Sequence, residues 1–396
     1  MKTKIMVAGH LCLDITPKFS DSASLNVGEV FVPGHLTNIG DAVLSTGGTV
    51  SNTGLALDRM GVDVVLNGKI GDDEFGAIIQ TKIGADRAKA LKVVRGQSSS
   101  YTIVLALPGV DRFVLHNPAA NDTFGPEDID YGVVKECSLF HFGYPTLMKR
   151  MYENDGEELA VMLKRVKELS VTTSLDMAMP DPSARSGQVD WMKILKKSLP
   201  YVDIFMPSLE EITFMVDRNL FEKRKSQQKD QDPVWAYKPE DCNAISETLI
   251  SLGAKIVLIK CGIRGLYLRT AGSTQLSSIG HASPGDIESW SERELWAATF
   301  QVNNFGSALG AGDATIAGFL CAFIHDFLPE NSLQIANLVG WQNVQAIDAL
   351  SGIGNWQGIM ELLGDKNRLR NPVGFNDDRW IYSENHQVYY GPFDKR

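Results

Sequence analysis

Short runs of β-branched and apolar residues alternate with longer stretches of helical periodicity along most of this chain, and no other feature constrains its fold as strongly. "KIMVAG", "VVLNGKIG", "SLFHFGYP", "TTSLDMA", "YVDIFMP" and "AKIVLIKCG" each read as a buried strand. Between them, "GEELAVMLKRVKELS" puts Leu159, Met162, Leu163, Val166 and Leu169 on one helical stripe. "PEDCNAISETLISLG" opens on proline and acid and stops at glycine, the expected polarity of helix signals. Strands that alternate with helices build a parallel sheet covered on both faces. The expected class is therefore α/β, a doubly wound and mostly parallel sheet.

Two sections depart from that rhythm. "SYTIVLALPGVDRFVLH" reads as two strands around a Pro-Gly turn, and Phe19 to Leu44 is irregular and strand-prone, so both are expected in a small β addition to the main sheet. Phe221 to Lys238, with "EKRKSQQKDQD", reads as a charged, solvated loop. The 396 residues suffice for one large α/β domain or two smaller ones. A formal charge of −10 opposes nucleic acid and anionic membrane surfaces as partners. Five scattered cysteines without a CxxC pair point to a reduced, cytoplasmic protein, and the amino-terminal apolar run is broken too early for a signal segment. No apolar stretch reaches membrane-spanning length.

The chemistry concentrates in "SALGAGDATIAGF", Ser307 to Phe319. A dinucleotide fingerprint would need glycine where Thr315 stands, and a Walker loop would need a lysine that is absent. What remains is Gly310-Ala311-Gly312-Asp313 running into an apolar helix. Free N–H groups and the positive end of the helix dipole then converge on a small site that glycines open to a bulky anion. A carboxylate repels phosphate, so Asp313 makes sense there as a base that takes a proton from an attacking hydroxyl while the N–H groups stabilise the transferring group. Asp313 as a plain helix cap is the competing reading, and this stretch alone leaves both open.

Taken with "GGTVSNTGLALDRMG", "IGDDEFG" and "MPSLEEITFM", the stretch resembles, in order and spacing, the ribokinase-like PfkB carbohydrate kinases over roughly residues 1 to 360. The resemblance implies transfer of the γ-phosphoryl group of ATP to a sugar or nucleoside hydroxyl on a doubly wound fold carrying a β lid. The lid segments are expected at about 12–44 and 98–120, within a kinase domain 1–365 followed by an extension 366–396. The resemblance makes Asp313 the general base and the Gly310, Ala311 and Gly312 backbone the anion hole. It also gives Asp14, Gly47, Gly48 and Asn52 to the acceptor and Glu211 to Mg²⁺ through water. Ser208, Lys260, Gly262, Gly265 and Asn337 fall on the nucleotide side. Ser208 replaces the asparagine of the family's NxxE motif. Ser307 and Leu309 replace an acid and a threonine, so activation by a monovalent cation is not expected. Ser283 to Asn304 is longer and more aromatic than the family pattern, and Trp380, Tyr382, Tyr389 and Tyr390 should pack the tail on its own or a partner's surface. Sugar and ATP are the expected small-molecule partners, and a homodimer through the β lid is a further expectation. Between Phe19 and Asp58 there is no lysine or arginine, which favours an unphosphorylated acceptor. A nucleoside kinase of the same fold and a catalytically silent sugar-binding regulator are the alternatives.

Overall fold

The computed structural model describes residues 4–19, 27–30, 32–105, 107, 113–227, 232–375 and 377–395. Six parallel strands form its centre, in spatial order Asp63–Asn67, Lys4–Gly9, Leu139–Gly143, Thr172–Leu175, Ile204–Phe205 and Ile256–Lys260. Four antiparallel strands extend the sheet beyond Ile256–Lys260: Leu266–Thr270, Glu294–Ala297, Val388–Tyr390 and Ile381–Ser383. Side chains of successive strand residues point to opposite faces. Ile5 and Val7 accordingly enter one core with the helices Thr49–Arg59, Ala311–Ile324 and Pro329–Asn343. Met6 and Ala8 enter the other with the helices Glu157–Glu168, Trp191–Ser198 and Pro239–Ser251.

The β addition is a separate four-stranded sheet in the order Ala42–Gly47, Cys12–Pro17, Tyr101–Leu105 and Phe113–Asn117. Its last two strands pair antiparallel as the hairpin pattern requires, while their Pro108-Gly109 turn lies outside the described residues. "VVLNGKIG" forms two strands rather than one. Gly68 separates Asp63–Asn67 from Lys69–Gly71, which joins a small parallel pair with Lys92–Val94. A Cβ at Gly68 would stand 2.9 Å from a Leu11 methyl, so the chain turns there without a side chain.

The charged stretch from Phe221 is also ordered differently from the expected loop, because a helix Arg218–Gln227 runs through its first part. Phe221 packs edge-on against Phe214 at 5.3 Å and Arg224 pairs with Asp241 at 2.7 Å, so two buried anchors hold a mostly polar helix to the body. Residues 228–231 of that stretch lie outside the described residues.

The aromatic segments at 283–304 and in the tail belong to the sheet. Trp296 is fully buried on strand Glu294–Ala297 and meets Trp380 edge-on at 6.1 Å. Tyr389 and Tyr390 lie on the tail strand beside it, and Tyr382 lies on the edge strand. The tail therefore packs on the chain's own surface.

Candidate functional site

The carboxyl ends of the central strands open into one cleft of about 1090 Å³ between the main sheet and the four-stranded β addition. His10 follows Gly9, Tyr144 follows Gly143, Asp176 follows Leu175, and Lys260 ends its own strand. This is the end of a doubly wound sheet where ligands bind.

The helix Ala311–Ile324 begins at the floor of this cleft. Gly310 is its N-cap in left-handed backbone (φ 72°, ψ 5°), a conformation that glycine adopts without strain. The Gly310 carbonyl accepts from the Ala314 N–H at 2.8 Å, and the Ala311 N–H turns to Ala308 O at 3.2 Å. Gly312 and Asp313, in the first turn at the positive end of the helix dipole, line the cleft. A Cβ on Gly312 would stand 3.9 Å from Lys260 Nζ, which places a cation beside this helix start.

Gly310, not Asp313, is the N-cap of this helix, and the hydrogen bonds of the Asp313 carboxylate go to side chains of other elements. That carboxylate is buried and held by three donors. Thr53 Oγ1 donates to Oδ1 at 3.0 Å, while Asn52 Nδ2 and Tyr144 Oη donate to Oδ2 at 3.0 Å and 2.7 Å. Thr53 and Asn52 come from the helix Thr49–Arg59, so two helix starts meet at this one side chain. Asn52, expected at the acceptor, lines the cleft and donates its amide N–H to Asp313, while its Oδ1 is buried without a hydrogen bond.

Asp14 lies on the β addition. Burial, reinforced by the Asp313 charge, pushes its carboxyl up to about 6, against hydrogen bonds from Cys12 and Thr102. Gly47 makes room for it, since a Cβ there would lie 2.3 Å from Asp14 Oδ2. Gly48 has φ +84°, and its Cβ would meet His10 O at 2.4 Å. His10 and His116 join the central sheet to the β addition, Nε2 to Nε2 at 3.2 Å, and burial lowers both imidazoles so that they stay neutral at pH 7.

Beyond Asp313, Lys260 Nζ bonds Asp176 Oδ1 at 2.6 Å and Met206 O at 2.7 Å. Burial, with the Glu211 and Asp313 charges, raises Asp176, while Lys260 opposes the rise. Ser208 caps the helix Leu209–Val216. Its N–H donates to Glu211 Oε2 at 2.7 Å and its hydroxyl accepts from the Glu211 N–H at 3.4 Å. Ser307 Oγ accepts from the Leu309 N–H at 3.0 Å.

Gly262, Gly265 and Asn337 lie toward the far end of the cleft with Phe300 and Trp341. Asn337 Nδ2 is directed to Ala297 O and Ala298 O, so it ties a helix to a strand end. The tail enters this end too. Asn371 lines the cleft and bonds Thr299 Oγ1 and Phe300 O, both at 3.0 Å, and the Arg370 guanidinium lies 3.8 Å from the centre of the Phe300 ring.

The model of the pfkB family carbohydrate kinases matches residues 2–353. The chain belongs to that family. Among relatives, an uncharacterised sugar kinase of Archaeoglobus fulgidus is 24% identical over 300 residues, spanning 76% of this chain and 98% of that protein. A protein of Halopiger xanaduensis named ATP-dependent ribose-1-phosphate kinase is 23% identical over 340 residues, 85% of this chain and 90% of that one. The Arabidopsis thaliana ribokinase solved with ribose and ATP superimposes with a TM-score of 0.68 at 16% identity, covering 92% of this chain and all of that one. The Xylella fastidiosa fructokinase with bound ATP gives 0.63 at 18% identity over 92% and 98%. This pfkB carbohydrate kinase thus has the ribokinase-like fold.

Sequence reasoning missed His10, His116, Tyr144 and Asp176, which line the kinase's cleft, and Thr53, which is buried behind it. Tyr144 in "HFGYP" and Asp176 in "SLDMA" each directly follow a buried strand, and that position was the available signal.

Proposed function

We propose that this kinase moves the γ-phosphoryl group of MgATP to a hydroxyl of an unphosphorylated sugar, with Asp313 as general base. The observation that carries the reading is the convergence of a buried, three-fold hydrogen-bonded carboxylate with the free N–H groups of a helix start and Lys260 in one cleft. The acceptor oxygen bonds to the γ-phosphorus as the bond to the β–γ bridging oxygen breaks. Its proton passes to Asp313 and ADP leaves. The Gly312 and Asp313 N–H groups, with Lys260, stabilise charge on the transferring group. Asp14, ionised above about pH 6, accepts from acceptor hydroxyls. Asn52 and Thr53 orient the base.

Among the described residues no three His, Cys, Asp or Glu side chains converge to hold a metal directly. Glu211, with one oxygen engaged at Ser208, suits a water-mediated contact to Mg²⁺ carried by the triphosphate. The metal neutralises phosphate charge when bound.

Lys260 is the one lysine or arginine among the described cleft residues, and it is committed to Asp176 and Met206 O. The neutral histidines add no charge. A phosphorylated acceptor would meet Asp14 and Asp313 without a matching cation, so the reading departs from the activity in the Halopiger protein's name. Val104 and Val114 on the lid flank the acceptor end and leave a nucleoside as the second reading.

Further expectations accompany this reading. Residues 1–365 form the kinase unit, and 366–396 extend its sheet. The exposed lid strands carrying Val43 and Leu115, each more than 40% exposed, pair in a homodimer. Cys12, Cys242, Cys261 and Cys321 are free thiols, as suits a reducing cytoplasm. No helix among the described residues is long and apolar enough to cross a membrane.

ADP release from MgATP, measured over free sugars, nucleosides and their monophosphates, tests the substrate class. Turnover with a free sugar and a low kcat/KM for its monophosphate is the expected result. A clear preference for the monophosphate overturns it.

A further inference from the structure

Asp313 has two carboxylate oxygens and about four lone-pair directions. Thr53 takes one on Oδ1; Asn52 and Tyr144 take both on Oδ2. Thr53 and Asn52 approach from the buried helix start and are 0% and 6% exposed. Tyr144 approaches from the other side, half-buried, lining the cleft with its ring 6.0 Å from that of His10 on the acceptor side. Its backbone is left-handed (φ 63°, ψ 42°), a conformation that a residue with a Cβ keeps only where its surroundings impose it. The imposed conformation delivers a phenol O–H to the base at 2.7 Å. A neutral O–H donating to Asp313 from the cleft is the contact that an acceptor hydroxyl must make before it loses its proton.

We infer that Tyr144 holds the acceptor's seat at Asp313 in the acceptor-free enzyme and yields it to a bound acceptor, so that the base is withheld from water. This inference rests on Asp313 being the general base. The reaction it prevents is ATP hydrolysis. A water oxygen would bond to the γ-phosphorus, the bond to the bridging oxygen would break, the water proton would pass to Asp313, and ADP and inorganic phosphate would leave. Water has only the one contact with which to displace a charge-assisted phenol–carboxylate bond. A sugar held at Asp14 brings several hydroxyls, so its binding can drive the exchange. Tyr144 is thus a positioning residue that selects a sugar hydroxyl over water.

The test is Tyr144→Phe, which keeps the ring and removes the O–H. ADP release from MgATP without acceptor should rise roughly tenfold, about the factor carried by one hydrogen bond to a charged group. The melting temperature should stay near wild type. Thr53→Val removes a donor that does not face the cleft and should lower acceptor-independent and acceptor-dependent ADP release together. Unchanged or lower hydrolysis in Tyr144→Phe, or a rise in Thr53→Val as well, overturns the inference. If Tyr144→Phe is poorly folded, Tyr144→Leu must show the rise. The double variant Tyr144→Phe/Asp313→Asn separates the two readings: the extra hydrolysis should vanish, and its persistence would remove Asp313 as the base.

Discussion

At the scale of single residues, the environment of Asp14 sets a pH dependence. The raised carboxyl is a carboxylate at pH 7 and gains a proton as pH falls through about 6. Acceptor KM should therefore rise on the acid side of 6 while KM for ATP holds steady, and Asp14→Asn should raise acceptor KM and flatten that dependence. A pH series of acceptor KM for both proteins checks this. For stability the sign is opposite. A carboxyl held above its unfolded value binds its proton more tightly in the folded state, so its contribution is present at low pH and is lost as pH rises through about 6. Above about pH 6 Asp14 is therefore ionised against the pull of its buried surroundings, at some cost to the fold. The helix start at Gly310 to Asp313 was legible because its signal is local in sequence, whereas Asp14, Gly47 and Gly48 entered only through the family resemblance. The hydrogen bonds of Tyr144 and Asn52 to Asp313 were not legible, because they join positions 169 and 261 residues away from it.

At the scale of elements, Ser208 shows what a departure from the family pattern costs. Its N–H and hydroxyl complete a capping box with Glu211, so the helix start is satisfied without the family's asparagine. Ser208→Asn should keep stability within about 0.5 kcal/mol, since both residues cap well, and turnover should hold or rise. Ser208→Ala should cost about 1 kcal/mol in urea unfolding. Loss of turnover in Ser208→Asn would show that the serine has a role of its own in this kinase. The alternation of strands and helices was readable because burial imposes period 2 or period 3.6 on the sequence. The helix Arg218–Gln227 was missed because only Phe221 and Arg224 are buried along it, too few to mark a periodicity. The strand status of Glu294–Ala297 and of the tail was missed because the pairing that joins them runs between positions nearly a hundred residues apart.

At the scale of the whole molecule, the tail is fastened by buried charge. Asp394 has no exposed side-chain surface and meets Arg293 at 2.9 Å, and Arg293 also holds Glu330 at 2.6 Å. Removing one partner of a buried ionic cluster leaves the other without compensation. Asp394→Ala should cost about 3 kcal/mol by urea unfolding, and a cost below about 1 kcal/mol would mean that the tail is not anchored there. The same tail brings Asn371 into the far end of the cleft and lays Arg370 on the Phe300 ring, so the tail and that wall of the site form one body. The central claim is that this body positions Asp313 to take a proton from a sugar hydroxyl. Steady-state kcat of Asp313→Ala, with the acceptor identified by the sugar screen and with melting temperature and ATP affinity as controls, tests it most directly. The account predicts a fall of roughly 10² to 10⁴ with both controls near wild type; a kcat equal to that of the wild type would contradict it.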